Sequence, residues 1–211
     1  MGNKNKLYNA GHSVDVDMVA NIVAVFETVI NSGTVEDLNA AYSWYPLANV
    51  WCAQHAQAFG IQTFQMCGIV AALSPQLNWN KNKEQALLLC AKIATGQPLV
   101  GLMAYPANIA KAQRIYNGEN PSVVLGGMKV ISFYNNLLLN EDYVTIDRHA
   151  LSIALFGLDP AKSGQTAVTD KLYKLVRSAY QTVAKHYGVE AYTVQSVTWT
   201  YKALNGGKVN S

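Results

Sequence analysis

Lys129 and Asp147 are the residues whose types and setting could do chemistry together. Lys129 follows Gly126-Gly127-Met128 at the start of one helical pattern. Asp147 stands eighteen positions later, in Thr145-Ile146-Asp147-Arg148-His149, at the entrance to the next. Glycines at a helix N-terminus let backbone N–H groups approach a phosphate, and the helix dipole favours the anion. Two helix starts lying side by side would hold the amine and the carboxylate across one pocket. A neutral lysine amine is a nucleophile toward a sugar C1′ and gives a Schiff base. A nearby carboxylate accepts its proton and stabilises the positive charge that develops on the sugar ring. Each residue also has a plainer role: a lysine at a helix start is ordinary surface, and an aspartate before a helix is an N-cap.

The elements that must position this pair are helical. Apolar side chains recur at helical spacing over residues 15–30 (Val19, Ile22, Val23, Phe26, Val29, Ile30) and stop at Asn31-Ser32-Gly33. Thr34 with Asp37 reads as a helix start. Pro46 is expected to split the following stretch into a short helix and a second one ending at Gly60. Further helices are predicted over 63–73, 80–95, 107–116, 128–139, 146–156, 165–187 and 191–204. No run alternates with period two for long enough to make a strand. Loops are short, and neither a Pro/Ser-rich linker nor an internal repeat occurs. The reading is all-α, about nine or ten helices, in one compact unit over residues 1–211, with Gly206–Ser211 as a flexible tail.

Composition bounds the function classes. Half of the residues are hydrophobic and 14% are charged, which excludes disorder and suits a large buried core. The net charge of +3 is too small to imply nucleic acid by itself, but its distribution is uneven. Residues 1–60 carry −3, residues 61–140 carry +4 and the remainder +2. The positive middle holds Lys81, Lys83, Lys92, Lys111, Arg114 and Lys129. Cys52, Cys67 and Cys90 lie apart in apolar runs and read as buried thiols in a reducing compartment. No spacing suggests zinc or an iron–sulfur cluster. Gly2 begins a weak myristoylation-like match, but Lys6 stands where Ser or Thr is wanted. With no membrane-spanning run and no secretory signal, the expectation is a cytoplasmic monomer.

The stretch from Pro121 to Phe156 resembles the helix-hairpin-helix DNA glycosylases, the family that includes endonuclease III and 8-oxoguanine glycosylase. Gly127-Met128-Lys129 matches the Gly-x-Lys ending of that family's hairpin, and Ile146-Asp147-Arg148-His149 matches its V-D-x-H segment. The separation of the two is that of endonuclease III. Residues 68–90 are similar to that enzyme's LLSAQ segment and following helix, which places Gln76 on the glutamine that wedges into the duplex. Residues 106–121 are similar to the helix before the hairpin. The likeness covers roughly 63–157. The Ala72-Leu73-Ser74-Pro75, Gly127-Met128-Lys129 and Thr145-to-Ala150 segments also resemble those of uncharacterised phage proteins, which would put the chain in a host cell's cytoplasm.

The resemblance implies a glycosylase-like helical fold that binds double-stranded DNA and flips a base. Lys129 and Asp147 would be catalytic. Gln76, Gly126, Gly127, Lys81, Lys111 and Arg114 would hold the DNA, with Trp79, Tyr134, Asn135 and His149 as pocket candidates. Base excision with strand cleavage by a lysine Schiff base needs neither a metal nor an organic cofactor. By family analogy, hairpin carbonyls could hold a monovalent cation. Departures are also visible. Val124-Leu125-Gly126-Gly127 lacks the proline and glycine spacing of the usual L-P-G-V-G hairpin, the segment between Gln76 and Lys129 is short, and the cluster cysteines are absent. The same fold admits two other readings: a DNA base-modifying transferase of a phage hypermodification pathway, or a non-catalytic modified-base-binding protein.

Overall fold

A computed structural model describes residues 12–156 and 169–204. Ten helices and no strand occur among the described residues: α1 His12–Ser32, α2 Val35–Ala58, α3 Thr63–Leu73, α4 Trp79–Ala94, α5 Pro106–Tyr116, α6 Pro121–Val124, α7 Met128–Leu137, α8 Arg148–Phe156, α9 Asp170–Tyr187 and α10 Ala191–Leu204. The all-α expectation and the helix count therefore hold. The tail from Gly206, and residues 165–168 of the helix predicted from 165, lie outside the described residues. None of the described helices is alone long and apolar enough to cross a membrane.

Local chemistry explains most boundaries. Thr34 and Asp37 form the reciprocal cap expected of them, each backbone N–H donating to the other's side chain at 3.2 Å. Asn78 accepts from the Lys81 N–H at 2.9 Å and starts α4, and Gly96 closes it in the left-handed conformation. Pro46 does not split α2, contrary to the expectation. Proline removes the N–H that the Tyr42 carbonyl would accept. Tyr42 and Pro46 both lie on the exposed face of the helix, where water can take that carbonyl. The sequence reading also missed α6, a single turn opened by the Asn120 side chain, which accepts from the Ser122 N–H. In addition, α7 stops two residues short and α8 starts two residues late of the predicted spans.

The described residues divide into two compact units, one running Tyr42–Thr145 and the other made of the residues up to Ala41 and from Ile146 to Leu204. In the continuous unit α3 is the central helix, buried at every position from Gln65 to Leu73, with α4, α5, α6 and α7 around it. Gly68 sets the closest approach. A Cβ there would lie 2.7 and 2.8 Å from ring carbons of Pro121 and 3.2 Å from Ile115. The Gln65 amide donates to the Ile115 and Tyr116 carbonyls at the end of α5, and its Oε1 accepts from the Gln62 N–H.

In the discontinuous unit α1 packs on α9, with α8 and α10 beside them. Phe26 stacks on the fully buried Tyr180, ring centroids 4.1 Å apart, and the Tyr180 hydroxyl bonds Thr198 of α10. Polar contacts close the rim of the α1–α9 seam: an ion pair of Asp15 with Lys171 at 2.9 Å and a hydrogen bond of Glu27 with His186 at 2.8 Å.

Candidate functional site

Lys129 occupies the first turn of α7, directly after the exposed pair Gly126-Gly127. Gly127 has φ +82°, a conformation that suits glycine. Helical spacing puts Lys129, Ser132, Phe133, Asn136 and Leu137 on one face, and the last four of these are buried. Lys129 thus continues the buried stripe to its N-terminal end, where its own side chain is half-buried. The other end of α7 is fixed from two helices. The Leu137 carbonyl accepts the Asn49 amide of α2 at 2.7 Å and the Cys67 thiol of α3 at 3.7 Å. The Cys52 thiol is pushed far up by its hydrogen bond to Cys67 and by burial, and burial pushes Cys90 up to about 12. All three cysteines are free and buried, and Cys52 and Cys90 pack as neutral thiols.

Gly126, in the turn between α6 and α7, has a cation beside it. The Lys111 ammonium of α5 lies 4.0 Å from the point where a Cβ on Gly126 would stand. Two exposed glycines, the N-terminus of α7 and this ammonium bring positive potential together, an arrangement that favours an anion. Other cations of the region are engaged. Arg114 makes a bidentate pair with Glu119 at 2.8 and 2.6 Å, which raises the guanidinium's pKa and lowers the carboxyl's. Lys81 pairs with Glu84 at 2.7 Å. Among the described residues Lys83, Lys111 and Lys129 have no carboxylate partner.

Gln76 sits at the exposed tip of a turn in which the Leu77 N–H bonds the Ser74 carbonyl at 3.2 Å. Pro75 takes the second position and Gln76 the third, with φ +67°. That is a type II turn with glutamine where glycine or asparagine is usual. Two non-glycine residues of positive φ occur among the described residues, Gln76 and Leu139. Holding glutamine there costs backbone energy, a signature more common at functional positions than at plain turns.

Trp79 opens α4 and belongs to an aromatic layer. Its ring lies 5.1 Å from Trp44 and 6.0 Å from Trp51, both of α2, and Lys83 Nζ stands 5.3 Å from its centroid. Trp44 also meets Tyr45 at 4.7 Å and Phe133 of α7 at 6.3 Å. His55 stacks on Trp51 at 4.2 Å and its Nδ1 donates to the Trp51 carbonyl. All three tryptophans are half-buried. Phe133 is one helical turn from Lys129, so the layer adjoins the lysine through α7.

The other pocket candidates do different work. Tyr134 is buried, which raises its pKa, and its hydroxyl bonds Ser122. The Asn135 amide donates to the Ile131 carbonyl, and its Oδ1 accepts from Asn140. Its neighbour Asn136, not singled out from the sequence, is fully buried. Asn136 donates to the Tyr143 carbonyl at 2.7 Å and accepts from Thr145 at 2.8 Å, fixing the segment that leads to Asp147.

Asp147 belongs to the discontinuous unit. Its Oδ1 accepts from the His149 and Ala150 N–H groups, both at 2.9 Å, and its carbonyl accepts from Leu151. It is the N-cap of α8. Oδ2 makes no hydrogen bond among the described residues, so the carboxylate retains acceptor capacity. His149 is half-buried in the first turn of α8. No group of residues able to hold a metal ion occurs among the described residues.

The chain belongs to a family of unknown function, DUF7178, which it matches over residues 5–206. No curated protein and no solved structure matches it.

Proposed function

We propose that the protein is a divergent helix-hairpin-helix DNA glycosylase that excises a damaged or modified base and cleaves the strand through a lysine Schiff base. The observation that carries this reading is the hairpin: open Gly126 and Gly127 with the Lys111 ammonium beside them, and a half-buried Lys129 without a carboxylate partner one residue into α7. A DNA phosphate is an anion such an arrangement suits, and a sugar held by that phosphate would bring its C1′ toward the amine. The strained, exposed Gln76 supports a wedge that enters the stack when a base is flipped.

In the proposed reaction the Lys129 amine bonds to C1′ as the glycosidic C–N bond breaks. The base leaves with the bonding pair and takes a proton from solvent. A carboxylate must accept the amine proton and balance the charge of the sugar cation, the role that the family resemblance implies for Asp147. Opening of the sugar ring gives the imine, and loss of the C2′ proton expels the 3′ phosphate.

The test is incubation with duplexes carrying single damaged or phage-type modified bases, with borohydride added. Reduction of the imine should leave a stable protein–DNA adduct on at least one duplex. Base release without any adduct would replace the lysine nucleophile with activated water. A base changed in mass on an intact backbone would point instead to a base-modifying transferase.

A further inference from the structure

Buried carboxamides normally earn their place through hydrogen bonds, since an amide without a partner forfeits its hydration. In the continuous unit Gln65 holds the end of α5, Gln85 accepts from the Met103 N–H at 2.6 Å, and Asn136 holds the segment before α8. Asn82 is the exception. It is 2% exposed, and its Oδ1 is buried with no hydrogen-bond partner. Asn82 lies one turn along α4 from Trp79 and beside Lys83, where the buried stripe Asn82, Gln85, Ala86, Leu89, Cys90 gives way to the half-buried rings.

We infer that the Asn82 carboxamide reads an N–H-bearing edge of a planar base that stacks on the Trp44–Trp51–Trp79 layer. The ring faces supply stacking, which every base accepts, so they select little. A buried acceptor that gains its partner with the ligand does select, because a ligand lacking the donor leaves it unpaired. Lys83 above Trp79 places positive charge at the same layer, which favours a neutral base over a cationic one. The inference rests on the base-flipping reading for the source of the base, but it uses neither Lys129 nor Asp147.

Three of the four tryptophans lie in this layer, so intrinsic fluorescence reports on it. The titrants are short duplexes with one unpaired nucleotide, carrying each common base or its counterpart with the Watson–Crick-edge N–H groups methylated. Saturable quenching is expected, with at least one parent base bound about tenfold more tightly than its methylated counterpart, the size of one hydrogen bond. Asn82→Leu should abolish that preference, keep the quenching and melt no lower than wild type, because an unpartnered amide is gone. Asn82→Ala, which needs less room, should lose the preference too and covers the case in which leucine does not fit. Absence of quenching by every duplex, or a preference that survives both substitutions, overturns the inference. Asn82-dependent preference without a borohydride adduct removes the glycosylase chemistry and leaves the base site standing. An adduct without the preference does the reverse.

Discussion

The two units handle polar groups differently. Along the α1–α9 seam Asp15 meets Lys171, Glu27 meets His186, and Tyr187 donates to Asn31. These polar pairs join the two helices. In the Tyr42–Thr145 unit Lys83, Lys111 and Lys129 face no carboxylate among the described residues, three tryptophans are left half-buried, and a buried amide stays unpartnered. Stability alone would not select such features, since unpaired amides and half-covered rings forgo free energy. The proposed base recognition draws on these features of the α3-centred unit; the discontinuous unit has a buried polar atom without a partner too, the Ser152 hydroxyl, but no comparable aromatic layer beside it among the described residues.

The substitution that breaks this comparison most completely is Lys129→Gln. It removes the proposed nucleophile at nearly constant shape. Adduct formation under borohydride should vanish, while duplex affinity measured by anisotropy stays within a few-fold. Base release at the wild-type rate would reduce Lys129 to a phosphate contact.

Asp147→Asn comes next. Asparagine caps a helix about as well as aspartate, so thermal stability should not change. Base release should slow by roughly 10²–10⁴-fold, the usual contribution of a general base. Asp147→Ala loses the cap as well and should cost about 1 kcal/mol in chemical denaturation. If the asparagine variant lost stability instead of rate, the residue would be a cap and nothing more.

Gly68→Ala tests whether the α3-centred unit is built as tightly as it looks. The added Cβ would stand 2.7 Å from a ring carbon of Pro121, and a proline ring cannot swing aside. Overpacking of this kind costs roughly 1–3 kcal/mol. Against it stands about 1 kcal/mol from alanine's better helix propensity. A net loss of up to about 2 kcal/mol is expected in urea unfolding, and a stabilised variant would show that α6 moves freely.

Smaller effects separate free cations from paired ones. Lys111→Gln should lower the slope of log K against log salt for duplex DNA by about 0.9, the value of one phosphate contact. Arg114→Gln should change it less, because Glu119 already holds that guanidinium. Equal losses from both would mean that Arg114 leaves Glu119 to bind DNA. Glu27→Gln, in the other unit, breaks a partly exposed pair and should lower the unfolding free energy by about 0.5 kcal/mol or less, read by urea unfolding.

Sequence by itself determined the elements. Helical spacing of apolar residues gave α3, α4, α5 and α10 to within one residue, α1 to within three, and the C-terminal end of α9. The Thr34–Asp37 cap and the glycine stops were readable because they act within four positions of the chain. Lys129 at a glycine-led helix start and Asp147 before α8 were likewise local facts. Pro46 misled the reading because its cost depends on whether the Tyr42 carbonyl faces water, and only packing decides that. Tertiary structure alone placed Lys111 beside Gly126, fifteen residues away. It also turned Trp44, Trp51 and Trp79 into one layer and left Asn82 without a partner. A residue's type and neighbours in sequence fix which hydrogen bonds and stacking contacts it can make. Which of them it does make depends on the groups that distant helices bring within a few ångströms, and local periodicity carries no record of that.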